Sequence, residues 1–217
     1  PFACNFCAVV ALSNRRWLPE SAQRVADIVT YMHDRWQING LEFHDMDFFV
    51  KEGRTAEFAE RITGKDISWW GLGRVDTLMS YSDDTFAKMQ RSGAKMIFVG
   101  AESGSDATLE RMNKGGHAST DLTLAFVERM KHYNIVPELS FVLGNPPDPV
   151  EDIEQTIQFI RKIKRINPAA ELILYLYTPV PQADSAFLNE ATRLGFRFPT
   201  TLEEWASPEW EQFALRR

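Results

Sequence analysis

Five short β-prone runs alternate with amphipathic helical segments along the chain, and this alternation limits the folds open to it more than any other feature. Ser21 to Trp36 reads as a helix with Val25, Ile28, Val29 and Met32 on one face, and a strand at Leu41–Phe43 follows. Helix 54–63, strand 66–72 and helix 83–91, stopped by Gly93, come next. Lys95 to Gly100 is an apolar strand, followed by helical stretches at 106–112 and 120–133. Strand 138–143 leads into a long helix at 150–166 with Ile153, Ile157, Ile160 and Ile163 at spacings of four and three. Strand 171–177 and a last helix from Ala183 to Leu194 complete the pattern, before an irregular tail with Trp205 and Trp210. Strands and helices alternating in this way build right-handed βαβ units and a parallel sheet. The periodicity fits a partial (β/α) barrel and an open doubly wound sheet equally.

No low-complexity linker or internal repeat divides the 217 residues, so a single α/β domain is expected. The net charge of −6 argues against a grip on a phosphate backbone, so no nucleic-acid partner is expected. No apolar run approaches the ~20 residues of a membrane span, and no secretory leader pattern is present. Two cysteines three residues apart do not make a secreted disulfide scaffold, which favours a reducing, cytoplasmic setting.

Ligands of parallel α/β folds bind where the strands end. Those ends carry Asp45 and Asp47, Gly71 to Arg74, Glu102 and Ser103, Gly144 and Asn145, and Tyr177 and Thr178. Helix capping accounts for Ser105, Asp148 and Asp83. Arg74 suits either a bidentate carboxylate contact or a surface salt bridge with Asp76 or Asp66. His44 has no histidine partner at metal-ligand spacing, and His33, His117 and His132 read as solvated. Tyr175 and Tyr177 alternate as strand packing residues do.

Cys4 and Cys7 form a Cys-x-x-Cys pair. Its spacing suits two ligands of a metal or cluster, a redox pair, or a chance pairing. A structural zinc site needs two more ligands, and a thioredoxin-type motif would follow a strand and open a helix.

The string PFACNFCAV resembles the end of the Cys-x-x-x-Cys-x-x-Cys motif of the radical S-adenosylmethionine family, with Phe6 at its aromatic position and the first cysteine expected just before Pro1. LEFHDMDFF is similar to the Phe-x-Asp-Asp-x-Phe element of the family's cobalamin-binding subgroup, with Met46 in place of the second Asp. MIFVGAESGSD with LERMNKG, then FVLGNPPDPVEDIEQTI, then LILYLYTPVP resemble the family's later strand-end motifs in order.

The resemblance implies an α/β fold, a partial (β/α)6 TIM-like barrel missing its first strand, with a core over residues 1–195 and the start of a C-terminal extension over 196–217. It implies a 4Fe–4S cluster held partly by Cys4 and Cys7. S-adenosylmethionine would be met by Asp45 at its amino group, Glu102 and Ser103 near the ribose, and Gly144 and Asn145 near the adenine, with Arg74 reaching its carboxylate. It further implies cobalamin bound by an upstream domain, an electron donor such as flavodoxin or ferredoxin, and a small-molecule or lipid-like substrate. The implied reaction is reductive cleavage to a 5′-deoxyadenosyl radical for methyl transfer or cyclisation, which requires no general-base residue, so no catalytic side chain is expected. The rival reading is a non-catalytic α/β module with a zinc or redox Cys-x-x-Cys, for which the tail tryptophans would dock a partner or cover the barrel. A thioredoxin-like oxidoreductase fits the length and element order poorly.

Overall fold

The computed structural model describes every residue except 1, 3, 5, 115–117, 181–184 and 216–217. His117, Pro181 and the expected helix start at Ala183 therefore lie outside the described residues. In chain order the elements are α1 (Val9–Leu12), α2 (Ala22–Trp36), β1 (Gly40–Phe43), α3 (Glu52–Ile62), β2 (Ser68–Gly73), α4 (Val75–Met79), α5 (Asp83–Arg91) and β3 (Ala94–Glu102). There follow α6 (Asp106–Arg111), α7 (Thr120–His132), β4 (Val136–Leu143), α8 (Pro149–Ile166), β5 (Glu171–Leu176), α9 (Ala186–Arg193), α10 (Leu202–Trp205) and α11 (Pro208–Leu215).

Helix starts follow local chemistry. Ser21, Ser82, Ser105, Ser119 and Ser185 each accept a hydrogen bond from a first-turn N–H, and Asp148 accepts two. Asp83 does not cap α5 as expected. Ser82 takes that place, and Asp83, one residue inside the helix, accepts a hydrogen bond from Arg129 Nη2 at 2.7 Å.

The five strands are all parallel and pair in the order β1-β2-β3-β4-β5. An order without a reversal has no topological switch point, which removes the doubly wound alternative. Alternate residues separate the two faces. Ile97, Val99 and Ala101 of β3 and Leu139 and Phe141 of β4 join a core with Phe58 and Ile62 of α3, Phe126 and Met130 of α7, and Phe159 and Ile163 of α8. Phe98, Gly100 and Ser140, one residue out of phase, line a cavity on the other face. The result is an unclosed, partial TIM-like barrel with its helices on one side.

The inner face of α8 follows the isoleucine stripe at Ile160 and Ile163 and departs from it nearer the start of the helix. Asp152, Thr156, Phe159 and Ile163 are buried, whereas Ile157 is 40% exposed. In α2 the buried residues are Ala22, Ala26 and Val29, and Ile28 faces out, because small residues let the helix sit close to α3. Two further expectations change. His33 is half-buried, with Nδ1 2.8 Å from the Ile38 carbonyl. The tail expected to be irregular forms α10 and α11, where Trp205 and Trp210 pack on each other and on Phe198, with Phe213 against Trp210.

Gly93 ends α5 at φ +95°, and a Cβ there would meet the Ile67 carbonyl oxygen at 2.0 Å. Gly93→Ala is expected to cost ~3 kcal/mol or more of unfolding free energy in urea, through left-handed strain and a backbone clash together. Gly64→Ala, also at positive φ but in open space, should cost ~1 kcal/mol. Equal losses at the two positions would contradict this packing.

Candidate functional site

The strands all run the same way, so their exits share one rim, and a cavity of about 280 Å³ opens there. Cys4, Cys7, Asp47, Arg74, Glu102 and Lys114 contribute its polar wall, and Phe2, Leu72 and Phe98 are among its apolar residues. Glycine leaves room for neighbouring side chains at two points on the wall. A Cβ on Gly73 would sit 2.7 Å from Phe49 Cδ2, and one on Gly100 would sit 2.0 Å from Glu102 Oε1.

Cys4 is buried and Cys7 half-buried. Arg74, at the end of β2, ties Cys4 into place. Its Nε and Nη2 grip Asp76 at 2.9 and 2.7 Å, Nη1 donates to Cys4 Sγ at 3.4 Å, and Nη2 also donates to the Lys114 carbonyl. The guanidinium lies 4.0 Å from the Phe2 ring centre. Burial works against its charge, but the Asp76 carboxylate and the Cys4 contact outweigh burial and hold it firmly protonated. The expected Arg74–Asp76 pair is thus present, but in the interior rather than on the surface. With the Asp76-facing edge of the fork engaged, Arg74 meets the cavity wall through the Cys4 thiol, the Phe2 ring and the Lys114 carbonyl.

The loop after β1 turns sharply, because Asp47 Oδ1 accepts the N–H of Phe49 at 3.0 Å. That turn leaves Asp45 exposed and outside the cavity wall and carries Asp47 into it. Asp47 is 7% exposed, and its Oδ2 has no hydrogen-bond partner among the described residues. Burial pushes its carboxyl up to about 6, against the pull of the Phe49 N–H and of Arg74.

Glu102 ends β3 at a bulge, with φ +67°. Lys114 Nζ lies 2.7 Å from its Oε1 and also donates to the Gly100 carbonyl. Both side chains are buried, so the pair holds the carboxylate against the cavity in a backbone conformation few residues adopt. Ser103, Gly144 and Asn145 lie behind this wall rather than on it, and their polar groups converge on Asp152. Gly144 has φ +81°. Lys114 and Asp152 had no role assigned from sequence. The signals were a lysine in the string after the β3 exit and an acid out of place on the buried face of α8.

The arrangement offers two thiols, an unpartnered buried carboxylate oxygen and a buried ion pair around one small space. That donor set fits an iron–sulfur group with an amino-bearing cationic ligand beside it. Among the described residues no group of three or more His, Cys, Asp and Glu side chains could hold a metal ion by itself. No helix among them is long and apolar enough to cross a membrane.

The family model for the Radical SAM superfamily matches residues 1–160. Over 165 residues the chain is 30% identical to the uncharacterized methyltransferase PH0819 of Pyrococcus horikoshii, covering 75% of this chain and 35% of that protein. Over 178 residues it is 24% identical to the anaerobic magnesium-protoporphyrin IX monomethyl ester cyclase of Synechocystis, covering 81% and 34%. The chain therefore spans about a third of the length of these relatives. Among solved structures, the radical S-adenosylmethionine methyltransferase TsrM of Kitasatospora setae, with cobalamin and a [4Fe-4S] cluster bound, matches with a TM-score of 0.68 at 12% identity. That match covers 81% of this chain and 32% of that one, and bears on the fold alone.

Ionising Asp47 inside the fold costs ~3 kcal/mol relative to ionising it in water. The folded carboxyl titrates above the unfolded one. Its contribution to stability is therefore greatest below about pH 4, falls as pH rises to about 6, and is flat above. Asp47→Asn is expected to raise the melting temperature at pH 7.5 and to leave it nearly unchanged at pH 4, by calorimetry of the apo-protein. Lys114→Met strands Glu102 without its cation and should cost ~3 kcal/mol in the same measurement.

Proposed function

The chain belongs to the radical S-adenosylmethionine superfamily, and from that membership we propose that residues 1–195 are the catalytic core of an enzyme that cleaves S-adenosylmethionine reductively, 196–217 beginning a further segment. When bound, the [4Fe–4S] cluster would supply an electron to the sulfonium of S-adenosylmethionine and so release a 5′-deoxyadenosyl radical. Cys4 and Cys7 would be two of the cluster's three thiolate ligands, the third coming from the cysteine expected just upstream. Arg74 orders that segment through Cys4 and Phe2.

The observation that carries this reading is the lone Oδ2 of Asp47, buried in the same cavity as the two thiols. A carboxylate so placed is costly until an ammonium group meets it. Asp47 rather than Asp45 is thus assigned to the methionine amino group. Glu102, held by Lys114, would face the ribose. Ser103, Gly144 and Asn145 would shape the loops around the nucleoside rather than touch it through their side chains. The apolar walls from Leu72 and Phe98 limit water around the reacting atoms.

The substrate would be a small or lipid-like molecule, in a reducing, cytoplasmic setting, with a flavodoxin or ferredoxin as electron source. Methyl transfer with cobalamin from an upstream domain, or cyclisation, is the reaction class the relatives' descriptions favour.

Anaerobic reconstitution of the full-length protein is expected to give about four irons per chain and a broad band at roughly 400 nm. Cys4→Ala and Cys7→Ala should each abolish both. Zinc bound in place of iron, with no visible band, would support the zinc-module rival instead. Binding of S-adenosylmethionine should weaken as pH falls below about 6, and Asp47→Asn should weaken it at pH 7.5 by about tenfold or more. Unchanged affinity in that variant would move the amino-group contact elsewhere.

A further inference from the structure

Asp152 touches neither thiol nor cavity wall, yet it is the most heavily bonded carboxylate near the rim. It is 4% exposed, in the first turn of α8. Its Oδ1 accepts from Ser103 Oγ at 3.0 Å and from Thr108 Oγ1 at 3.3 Å. Its Oδ2 accepts from the N–H groups of Gly144 and Asn145 at 3.1 and 3.0 Å and from Asn145 Nδ2 at 3.0 Å. One oxygen therefore serves the loop that leaves β3, and the other serves the loop that leaves β4.

Neighbouring contacts strengthen the tie. Gly104 N–H donates to Thr156 Oγ1, one turn along α8, and Ser105 N–H donates to Ser103 Oγ. Gly104 lies so close to α8 that a Cβ would be 2.7 Å from Thr156 Cα. Arg111 Nη2 bonds the Pro146 carbonyl at 2.7 Å and Thr108 Oγ1 at 3.4 Å, which brings positive charge toward the same carboxylate by one relay. The first turn of α8 also favours an anion. Ser103, Gly144 and Asn145 of the two loops, with Thr108 in the first turn of α6, thus depend on one side chain for the direction of their polar groups. A carboxylate meets this need because its two oxygens accept from opposite sides, whereas an asparagine would turn an N–H₂ toward one set of donors.

We propose that Asp152 is a positioning residue for nucleoside binding, fixing the loops after β3 and β4 as one unit behind the cavity wall so that Glu102 is held toward the adenosyl group. The inference rests on the cofactor assignment made above and adds to it a residue that never meets the ligand. Truncating or neutralising Asp152 would leave the thiol side of the cavity intact, because Cys4, Cys7, Arg74 and Asp47 share no hydrogen bond with it.

The test is titration of the reconstituted full-length protein with S-adenosylhomocysteine, which reads binding without turnover, alongside iron content and amide hydrogen exchange. Asp152→Asn is expected to raise the dissociation constant about tenfold or more at unchanged iron content. Faster exchange should be confined to the amides around 103–105 and 144–145. Asp152→Glu keeps the charge and should recover part of the affinity. It also serves as the readable variant if the asparagine form does not fold, and there a loss of several-fold supports the proposal. Affinity within twofold of the parent in whichever variant folds overturns it, as does exchange that rises uniformly across the sheet. A parent protein that loads iron but binds no S-adenosylhomocysteine overturns the cofactor assignment, and this inference with it.

Discussion

Parallel pairing in unbroken order is the constraint on which everything else in this structure rests. A parallel ladder satisfies its backbone only if every strand points the same way, and each return path must then be a helix on one side. Two consequences follow together. The apolar phase of the central strands is consumed by the helices, as with Ile97, Val99 and Ala101 of β3 and Leu139 and Phe141 of β4. The other phase is left to line a concavity, where the exits of β1, β2 and β3 meet at Asp47, Arg74 and Glu102.

At that rim the chain buries charge, and the manner of burial separates structural groups from binding groups. Arg74 is matched by Asp76, Glu102 by Lys114, and Asp152 by five donors. Asp47 alone of these keeps an oxygen without a partner. Paired charges hold their surroundings in one geometry, whereas an unpaired one stores free energy that only a cation can release. This asymmetry gives Asp47 its place in the functional reading, although the motif in the sequence points to Asp45 instead.

The thiol segment is attached to the barrel by side chains rather than by a strand. Arg74 reaches across seventy residues to Cys4, and Trp17 Nε1 donates to the Asp47 carbonyl at 3.0 Å. The same segment thus meets both the β2 exit and the β1 exit, which brings the sulfurs and the carboxylate into one cavity. Toward the other end of the chain, Phe187 of α9 packs with Leu109 of α6 and Met112 at its end, with Phe6 and Tyr177 against them. Helix α9 therefore lies near the rim instead of extending the outer layer.

The strand and helix alternation, the longer helices between the strands and the identity of the exit loops were legible in the sequence by itself, because period, capping and turn chemistry are local properties. Membership of the family was legible too, through short motifs whose residues must sit at fixed spacing. Tertiary structure decided what depends on orientation between elements. It chose a one-sided barrel over a doubly wound sheet, and shifted the buried face of α8 to Asp152. It also turned Asp47 inward in place of Asp45, and gave Lys114 to Glu102. The physical reason is common to all four. Whether a polar side chain is buried, and against which partner, is set by groups distant in sequence that meet only when the sheet forms.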